Sequence, residues 1–117
     1  MNERAEGPTT IAEASARLNA YYPVTLELAS IQLDVRPLHT LESTTPLTEN
    51  ESQRLNRLAL VLERATQVHK TAREAATWCL AELPALGRQT PIQKCQTEEG
   101  YQRVLGLLSQ IEHGIFG

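Results

Sequence analysis

The chain has 117 residues, of which 41% are apolar and 21% charged, a composition typical of one globular domain with at most a short appendage. Aromatic residues make up only 4%, so we expect a core of Leu, Ile, Val and Ala, as in helical proteins. No apolar run approaches the roughly 18 residues that span a bilayer, and the N-terminal MNERAEGPTT does not look like a secretion signal. The sequence therefore argues against a membrane or exported protein, and we expect a cytoplasmic location.

The net charge of −3 is distributed unevenly along the chain. Residues 1–52 carry three basic and eight acidic side chains, a net −5, whereas residues 53–117 carry eight basic and six acidic ones, a net +2. We therefore expect the first half to repel a phosphate backbone and the second half to attract it only weakly.

A repeated signal for helix starts runs through the whole chain. A Ser or Thr followed three residues later by Glu or Gln can satisfy two free backbone N–H groups reciprocally, as a capping box. Each copy precedes an apolar pattern with helical spacing, which predicts an all-α chain. The four copies are Thr10/Glu13, Thr48/Glu51, Thr71/Glu74 and Thr90/Gln93.

The N-terminal elements are the less regular ones. The first helix is predicted at about 11–20, with Ile11, Ala14, Ala16 and Leu18 pointing inward, and Tyr21-Tyr22-Pro23 ends it. The next stretch, TLELASIQL, fits a helix or a strand equally well. Two prolines bracket VRPLHTLE, and LESTTPLTENES has the composition of a loop.

The C-terminal elements follow a clearer helical pattern. A long helix is predicted at about 49–69 and a second one from Thr71 to about Leu83. After the turn PALGRQTP, Thr90 and Pro91 open a short helix that ends near residue 96. The last helix starts after Thr97 and ends at Gly114. We therefore divide the chain into an N-terminal region, 1–47, and a helical C-terminal region, 48–117.

The sequence contains no arrangement of side chains that points to catalysis. The three histidines lack metal-ligand spacing, and there is no glycine-rich phosphate loop or nucleophile elbow. Cys79 and Cys95 are sixteen positions apart without flanking ligands, so we expect reduced, buried thiols. These observations predict a non-enzymatic protein that acts by binding, with no cofactor and no metal.

Two features are candidates for binding surfaces. Arg54, Arg57 and Arg64 lie near one face of the long helix, as either a solvated face or a contact surface for DNA or an acidic partner. Trp78 lies outside the apolar stripe of its helix, which fits either helix packing or an anchor for a partner protein.

The second half carries an ordered pattern of residues without gaps: Trp78, Leu86-Gly87, Thr90-Pro91-Ile92, Thr97, Gly100, Val104, Leu108, Ile111-Glu112-His113-Gly114 and Phe116. This pattern resembles the C-terminal toxin-binding domain of Xre/MbcA/ParS-like antitoxins. The resemblance covers residues 48–117. Four residues depart from the family pattern: Arg88 replaces a second turn glycine, Lys94 and Cys95 replace an apolar pair, and Glu82 replaces a proline.

Two glycines of this pattern have a physical reason to be glycine. Gly87 allows a tight reversal between helices. Gly100 lies within the last helix, where glycine disfavours the helix by about 1 kcal/mol relative to Ala, so we expect a close approach of another backbone segment there.

The resemblance implies that the chain neutralises a paired RES-domain toxin that acts on NAD, by degrading it or by ADP-ribosylating a cellular target. It also implies that the C-terminal end covers the NAD pocket of the toxin, and that the chain forms a homodimer within a larger toxin–antitoxin complex. In an alternative arrangement, Ile115 and Phe116 pack on the last turn of their own helix. The toxin-contact residues implied are Trp78, Arg88, Tyr101, Glu112, His113, Gly114, Ile115, Phe116 and Gly117.

The N-terminal half is predicted to be a degenerate helix-turn-helix. Residues 26–42 follow that shape loosely, with Asp34 as the cap of a would-be recognition helix. A structural or dimerising role is the alternative for this half, and a small transcriptional regulator without a toxin partner is the competing function for the whole chain. The candidate contacts with operator DNA are Arg36, His39, Arg54, Arg57 and Arg64.

Overall fold

The computed structural model describes residues 7–114, and this part of the chain is all-α, as predicted. Two isolated bridges, Thr10 to Pro46 and Leu83 to Gln89, are its only β-type pairings. Short 3-10 turns occupy Leu38–Thr40 and Pro84–Leu86. The α-helices are α1 (Ile11–Leu18), α2 (Leu26–Leu33), α3 (Glu49–His69), α4 (Ala72–Cys79), α5 (Pro91–Lys94) and α6 (Glu98–His113).

Each of these six helices begins at a threonine whose hydroxyl accepts a hydrogen bond from a backbone N–H in the first turn. The four predicted caps are confirmed, but the reciprocal box is complete only at Thr48 and Thr90. Glu13 bonds to the N–H of Thr9 instead, at 2.7 Å. Thr25 is a cap that the sequence pattern did not indicate, because no Glu or Gln follows it at the third position.

The N-terminal half differs from the helix-turn-helix prediction. TLELASIQL forms a helix, and Asp34 ends it with a left-handed φ of 60°. Asp34 is therefore a C-terminal cap, and the predicted recognition helix is replaced by extended chain and the single turn Leu38–Thr40. Ala16 in α1 was predicted to point inward, but it is exposed. The helix ends at Leu18 and contacts the core only through Ile11, Ala14 and Leu18.

The core is one continuous cluster built around α3, which packs on α4 and α6, while α2 packs on α5. It includes Leu33 from the N-terminal half, Leu58 and Leu62 from α3, and Val104 and Leu108 from α6, all fully buried. Burying one such side chain contributes roughly 1.5–3 kcal/mol, so the two halves stabilise each other.

Hydrogen bonds join the end of α2 to both ends of α5. The hydroxyl of Thr90 donates to Oε1 of Gln32 at 2.5 Å, and the side-chain amide of Gln96 donates to the carbonyl of Gln32 at 2.7 Å. The boundary expected at 47/48 lies immediately before Thr48, the cap of α3, and the core continues across it.

Both glycine expectations are confirmed. A Cβ at Gly100 would lie 2.1 Å from the carbonyl oxygen of Lys94, so the start of α6 and the end of α5 approach too closely for a side chain. Gly87 has a left-handed φ of 68° and ends the turn Pro84–Leu86. Helix α4 is shorter than predicted and ends at Cys79, because Leu80 starts the turn that leads to Pro84.

Cys79 and Cys95 are buried and free, as expected. Burial raises the pKa of both thiols, that of Cys95 to about 12, so both stay protonated at neutral pH. Within residues 7–114 no helix is long and apolar enough to cross a membrane.

The Gly100→Ala variant should be strongly destabilised. The added methyl group would meet the backbone of Lys94, and overpacking against a rigid group costs about 1–3 kcal/mol. Gly106→Ala is the matched control in the same helix, because an added Cβ there meets no described atom within 4 Å and should stabilise by about 0.5–1 kcal/mol. Thermal unfolding of both variants checks this, and an equal rise in Tm would contradict the close approach at Gly100.

Candidate functional site

The last turn of α6 is fixed to α3 by an ion pair. The guanidinium of Arg64 in α3 donates to the carboxylate of Glu112, and its second terminal nitrogen donates to Gln67 at 3.2 Å. Helix α6 then ends at Gly114, whose left-handed φ of 67° lets its N–H bond to the carbonyls of Gln110 and Ile111. The end of α6 thus has a defined position relative to α3.

Positive groups surround the carboxylate of Glu112. The hydrogen bond from Arg64 lowers the pKa of Glu112, and the nearby His113 and Lys70 act in the same direction. Glu112 therefore stays ionised at neutral pH. His113 is exposed, and its Nδ1 lies 2.8 Å from the carbonyl of Ser109, one turn earlier.

Trp78 lies at the same end of α3. Its ring is half-buried against the core, and its centroid is 5.4 Å from that of His69, with the two planes tilted by 40°. Nε2 of His69 is buried and has no hydrogen-bond partner among residues 7–114. The packing interpretation of Trp78 is therefore confirmed, and its role as an anchor for a partner protein stays a prediction.

A shallow depression of about 600 Å³ surrounds Trp78. Its lining combines the rings of Trp78 and His69 with charged and small groups, and of these Trp and Arg are residue types enriched at protein interfaces. Lys70 follows His69 directly and also reaches Glu112 electrostatically, so the depression and the last turn of α6 both adjoin the C-terminal end of α3. The lining residues are His69, Arg73, Glu74, Thr77, Trp78 and Ala81.

Tyr101 lies apart from this region. It is in the first turn of α6, about 16 Å from Glu112 along the helix axis at about 1.5 Å per residue. It lines a groove of about 620 Å³ between α3 and α6, together with Arg57, Leu60 and Leu105. The structure thus separates Tyr101 from the other described toxin-contact candidates on α6.

Arg88 occupies a strained position in the turn between α4 and α5. Its φ is 67°, in the left-handed region, and its N–H donates to the carbonyl of Leu83 at 2.9 Å to close the turn. This is the place where the family pattern has a second glycine. A left-handed conformation costs a non-glycine residue roughly 1–2 kcal/mol, so the side chain is kept at a cost in stability.

Two of the arginines assigned to a DNA surface cap helices instead. Nη1 of Arg54 donates to the carbonyl of Leu33 at the end of α2, at 2.6 Å. Nε and Nη2 of Arg57 donate to the carbonyls of Cys95 and Gln96 after α5, both at 2.8 Å. Both side chains are half-buried, so the solvated face expected from the sequence is not present at these positions.

The remaining DNA candidates also have partners within the chain. Arg36 forms two hydrogen bonds to the carboxylate of Glu51, at 2.6 and 3.1 Å, and a third to the carbonyl of Pro46. His39 lies 3.9 Å from Glu27, and Arg64 is bonded to Glu112. Contact with a phosphate would compete with each of these interactions.

Sequence reasoning missed two groups of residues in this region. The positions of His69 and Lys70 in this region depend on the short turn that brings α4 back onto α3. The apolar periodicity of the sequence does not predict such contacts. The sequence gives only a weak indication of the capping by Arg54 and Arg57. Neither α2 nor α5 is followed by a glycine that would satisfy its last carbonyls, so another donor is needed there.

The described residues include no group of three or more His, Cys, Asp or Glu side chains placed to hold a metal ion. Ile115, Phe116 and Gly117, which were assigned to toxin contact, lie outside the described residues. The geometry therefore defines a small all-α domain with a surface at the end of α3 and α6 that suits contact with another protein.

Comparison with known proteins shows which family this domain is similar to. Residues 64–114 match the family described as the antitoxin Xre/MbcA/ParS C-terminal toxin-binding domain. The matched segment begins at Arg64 and ends at Gly114, and it includes the last turns of α3 and all of α4, α5 and α6. The resemblance seen in the sequence is confirmed, and the chain is Xre/MbcA/ParS-like over these helices.

Two curated relatives carry the name Antitoxin Xre. The one from Photorhabdus laumondii is 36% identical over 69 residues, and the one from Yersinia enterocolitica is 31% identical over 70 residues. The alignments cover 58% and 59% of this chain and 47% of each relative. The chain thus spans about half the length of the curated relatives it matches.

The Arg88→Gly variant should be more stable than the native chain, by about 1 kcal/mol, because glycine adopts a left-handed φ without strain. Gly87→Ala, at the neighbouring left-handed position, is the control and should lower the Tm. If Arg88 contacts a toxin, the stabilised variant should also bind that toxin less tightly. Thermal unfolding and a binding titration measure the two effects, and a drop in Tm for Arg88→Gly would contradict the strain.

Proposed function

We propose that this protein is an antitoxin that binds and neutralises a RES-domain toxin acting on NAD. The observation that carries this proposal is the match of residues 64–114 to a toxin-binding domain, together with relatives named Antitoxin Xre. The RES identity of the toxin and its action on NAD, by degradation or by ADP-ribosylation, come from the resemblance of residues 48–117. In this proposal the chain has no catalytic role.

The toxin-contact surface would centre on Trp78 and the end of α6. A half-buried indole surrounded by charged groups is a typical anchor at protein interfaces, because it offers a large rigid apolar area at little cost in side-chain entropy. Its truncation at an interface commonly costs about 2 kcal/mol or more in binding free energy. The exposed Arg88 and the ionised Glu112 would add polar contacts around it.

Inhibition would come from the residues that follow α6. We propose that Ile115, Phe116 and Gly117 enter an apolar part of the NAD pocket of the toxin, with Glu112 and His113 competing for polar groups that otherwise hold NAD. Burial of one phenylalanine contributes roughly 1.5–3 kcal/mol to such a contact. The described part of the site supports this, because Glu112, His113 and Gly114 are exposed at the end of the helix.

Tyr101 has a different place in the proposal. It lines the groove between α3 and α6 rather than the end of the helix, so a toxin that contacts it as well as Trp78 must cover more than one face of α6. Homodimer formation, operator binding with autorepression and a cytoplasmic location stay predictions. The intramolecular partners of Arg36, Arg54, Arg57 and Arg64 leave less basic surface for DNA than the sequence suggested.

Co-expression tests the function directly. The proposal expects a neighbouring gene for a RES-domain toxin. That toxin should arrest growth when expressed alone, and co-expression of this protein should restore growth and allow the two proteins to copurify. Soluble expression of this protein with persistent growth arrest would overturn the proposal. Specific binding of the free protein to its promoter, without any toxin contact, would favour the competing regulator function.

Removal of residues 115–117 should separate binding from inhibition. The truncated protein should keep its Tm, because α6 already ends at Gly114, and should still bind the toxin through Trp78. Its inhibition of NAD consumption by the toxin should weaken, whereas Trp78→Ala should weaken binding itself. An unchanged inhibition curve together with a lower Tm would instead indicate that Ile115 and Phe116 pack on their own helix.

A further inference from the structure

The last turn of α6 has little packing of its own. The last fully buried side chain of the helix is Leu108, and beyond it Ile111 is half-buried while Glu112, His113 and Gly114 are exposed. Terminal turns without buried contacts open readily, because only a few backbone hydrogen bonds hold them. Another interaction is therefore needed if this turn is to hold one orientation.

The ion pair between Arg64 and Glu112 joins this turn to α3, the longest of the described helices. Arg64 is surrounded in sequence by Val61, Leu62 and Ala65, whose side chains are fully buried, so its Cα is held by the core. The guanidinium is further oriented by the hydrogen bond to Gln67. The pair connects residues 48 positions apart, so it reports tertiary rather than local structure.

This pair is poorly suited to a role in global stability. The side chains are 31% and 40% exposed, and solvent-exposed ion pairs contribute little to the free energy of unfolding. The same ion pair can still set the orientation of the last turn of α6. One contact beyond the last buried residue is enough to select one of several directions for a helix end. Gly114, whose left-handed φ ends the helix, lies in this same turn.

From this geometry we infer that Arg64 and Glu112 are positioning residues, which together hold the last turn of α6, from Glu112 to Gly114, in the orientation in which it meets the toxin. This inference rests on the proposed function. It also gives Arg64 a role other than DNA contact, since one guanidinium face cannot bind Glu112 and a phosphate at once. The gain would be one of preorganisation, because a helix end that is already held in one orientation loses less entropy on binding.

A charge-exchange cycle tests the inference. Arg64→Glu and Glu112→Arg should each raise the antitoxin concentration needed for half-inhibition, by about two- to fivefold, the range that an exposed ion pair supplies. The double exchange should restore inhibition relative to Glu112→Arg alone, because both variants lack the direct contacts of Glu112 and only the double exchange re-forms the ion pair. The Tm of all three variants should stay close to that of the native chain. If circular dichroism shows a variant to be unfolded, Arg64→Gln and Glu112→Gln replace it in the cycle.

The chain offers a matched control pair. Arg17 in α1 and Glu63, the neighbour of Arg64 in α3, form an ion pair of 3.8 Å with side-chain exposures of 31% and 55%. Exchange of these charges alters a surface pair of similar exposure that does not involve α6. It should leave the inhibition curve unchanged.

Hydrogen exchange of the free protein provides a readout that needs no toxin. Amide exchange at residues 112–114 should be faster in each single variant and slow again in the double exchange, with no change in α4. Unchanged exchange in the single variants, or a double exchange that fails to restore inhibition, would overturn the positioning role. If the native chain does not inhibit the toxin at all, the proposed function is refuted. Hydrogen exchange of the free protein then decides whether the ion pair holds the end of α6.

Discussion

The capping of two short helices by arginines from α3 is the interaction on which the remaining structure depends. Helices α2 and α5 contain eight and four residues, too few to be stable in isolation, and the carbonyls at their C-terminal ends lack partners within their own helices. Arg54 supplies a donor to α2, and Arg57 supplies two donors to the residues after α5. Because α5 in turn meets the start of α6 at Gly100, the position of α6 follows from that of α3.

The parts of this fold that local chemistry determines were predicted well. Helix α3 has the predicted bounds, since Thr48 with Glu51 forms a complete capping box and the apolar spacing persists over about four turns, from Leu55 to Val68. The end of α6 was equally clear, because a glycine after a polar last turn is a strong stop signal. Such signals act within a few residues, so tertiary contacts do not change them.

The incorrect predictions concern tertiary contacts. Asp34 matched a helix N-cap in composition, but Asp also tolerates the left-handed conformation and ends α2 instead. The arginines of α3 matched a solvated face because charged spacing alone does not show which carbonyls lie nearby. In the candidate site, Trp78 and Glu112 adjoin the same end of α3, whereas Tyr101 faces a different groove, and the order of residues along the chain gave no indication of this separation.

The hydrogen bonds of Gln32 limit where this domain can be cut and joined to another protein. The family match starts at Arg64, inside α3, yet the side chain and carbonyl of Gln32 in α2 hold Thr90 and Gln96 on either side of α5. A chimera joined at Arg64, where the family match begins, would interrupt α3 among its buried residues. It would also lose the hydrogen bonds from Gln32 that hold the two ends of α5. Transfer of this domain to another protein therefore requires a graft that carries α2 and the whole of α3 along with α4, α5 and α6, because the unit that folds together is larger than the segment that matches the family.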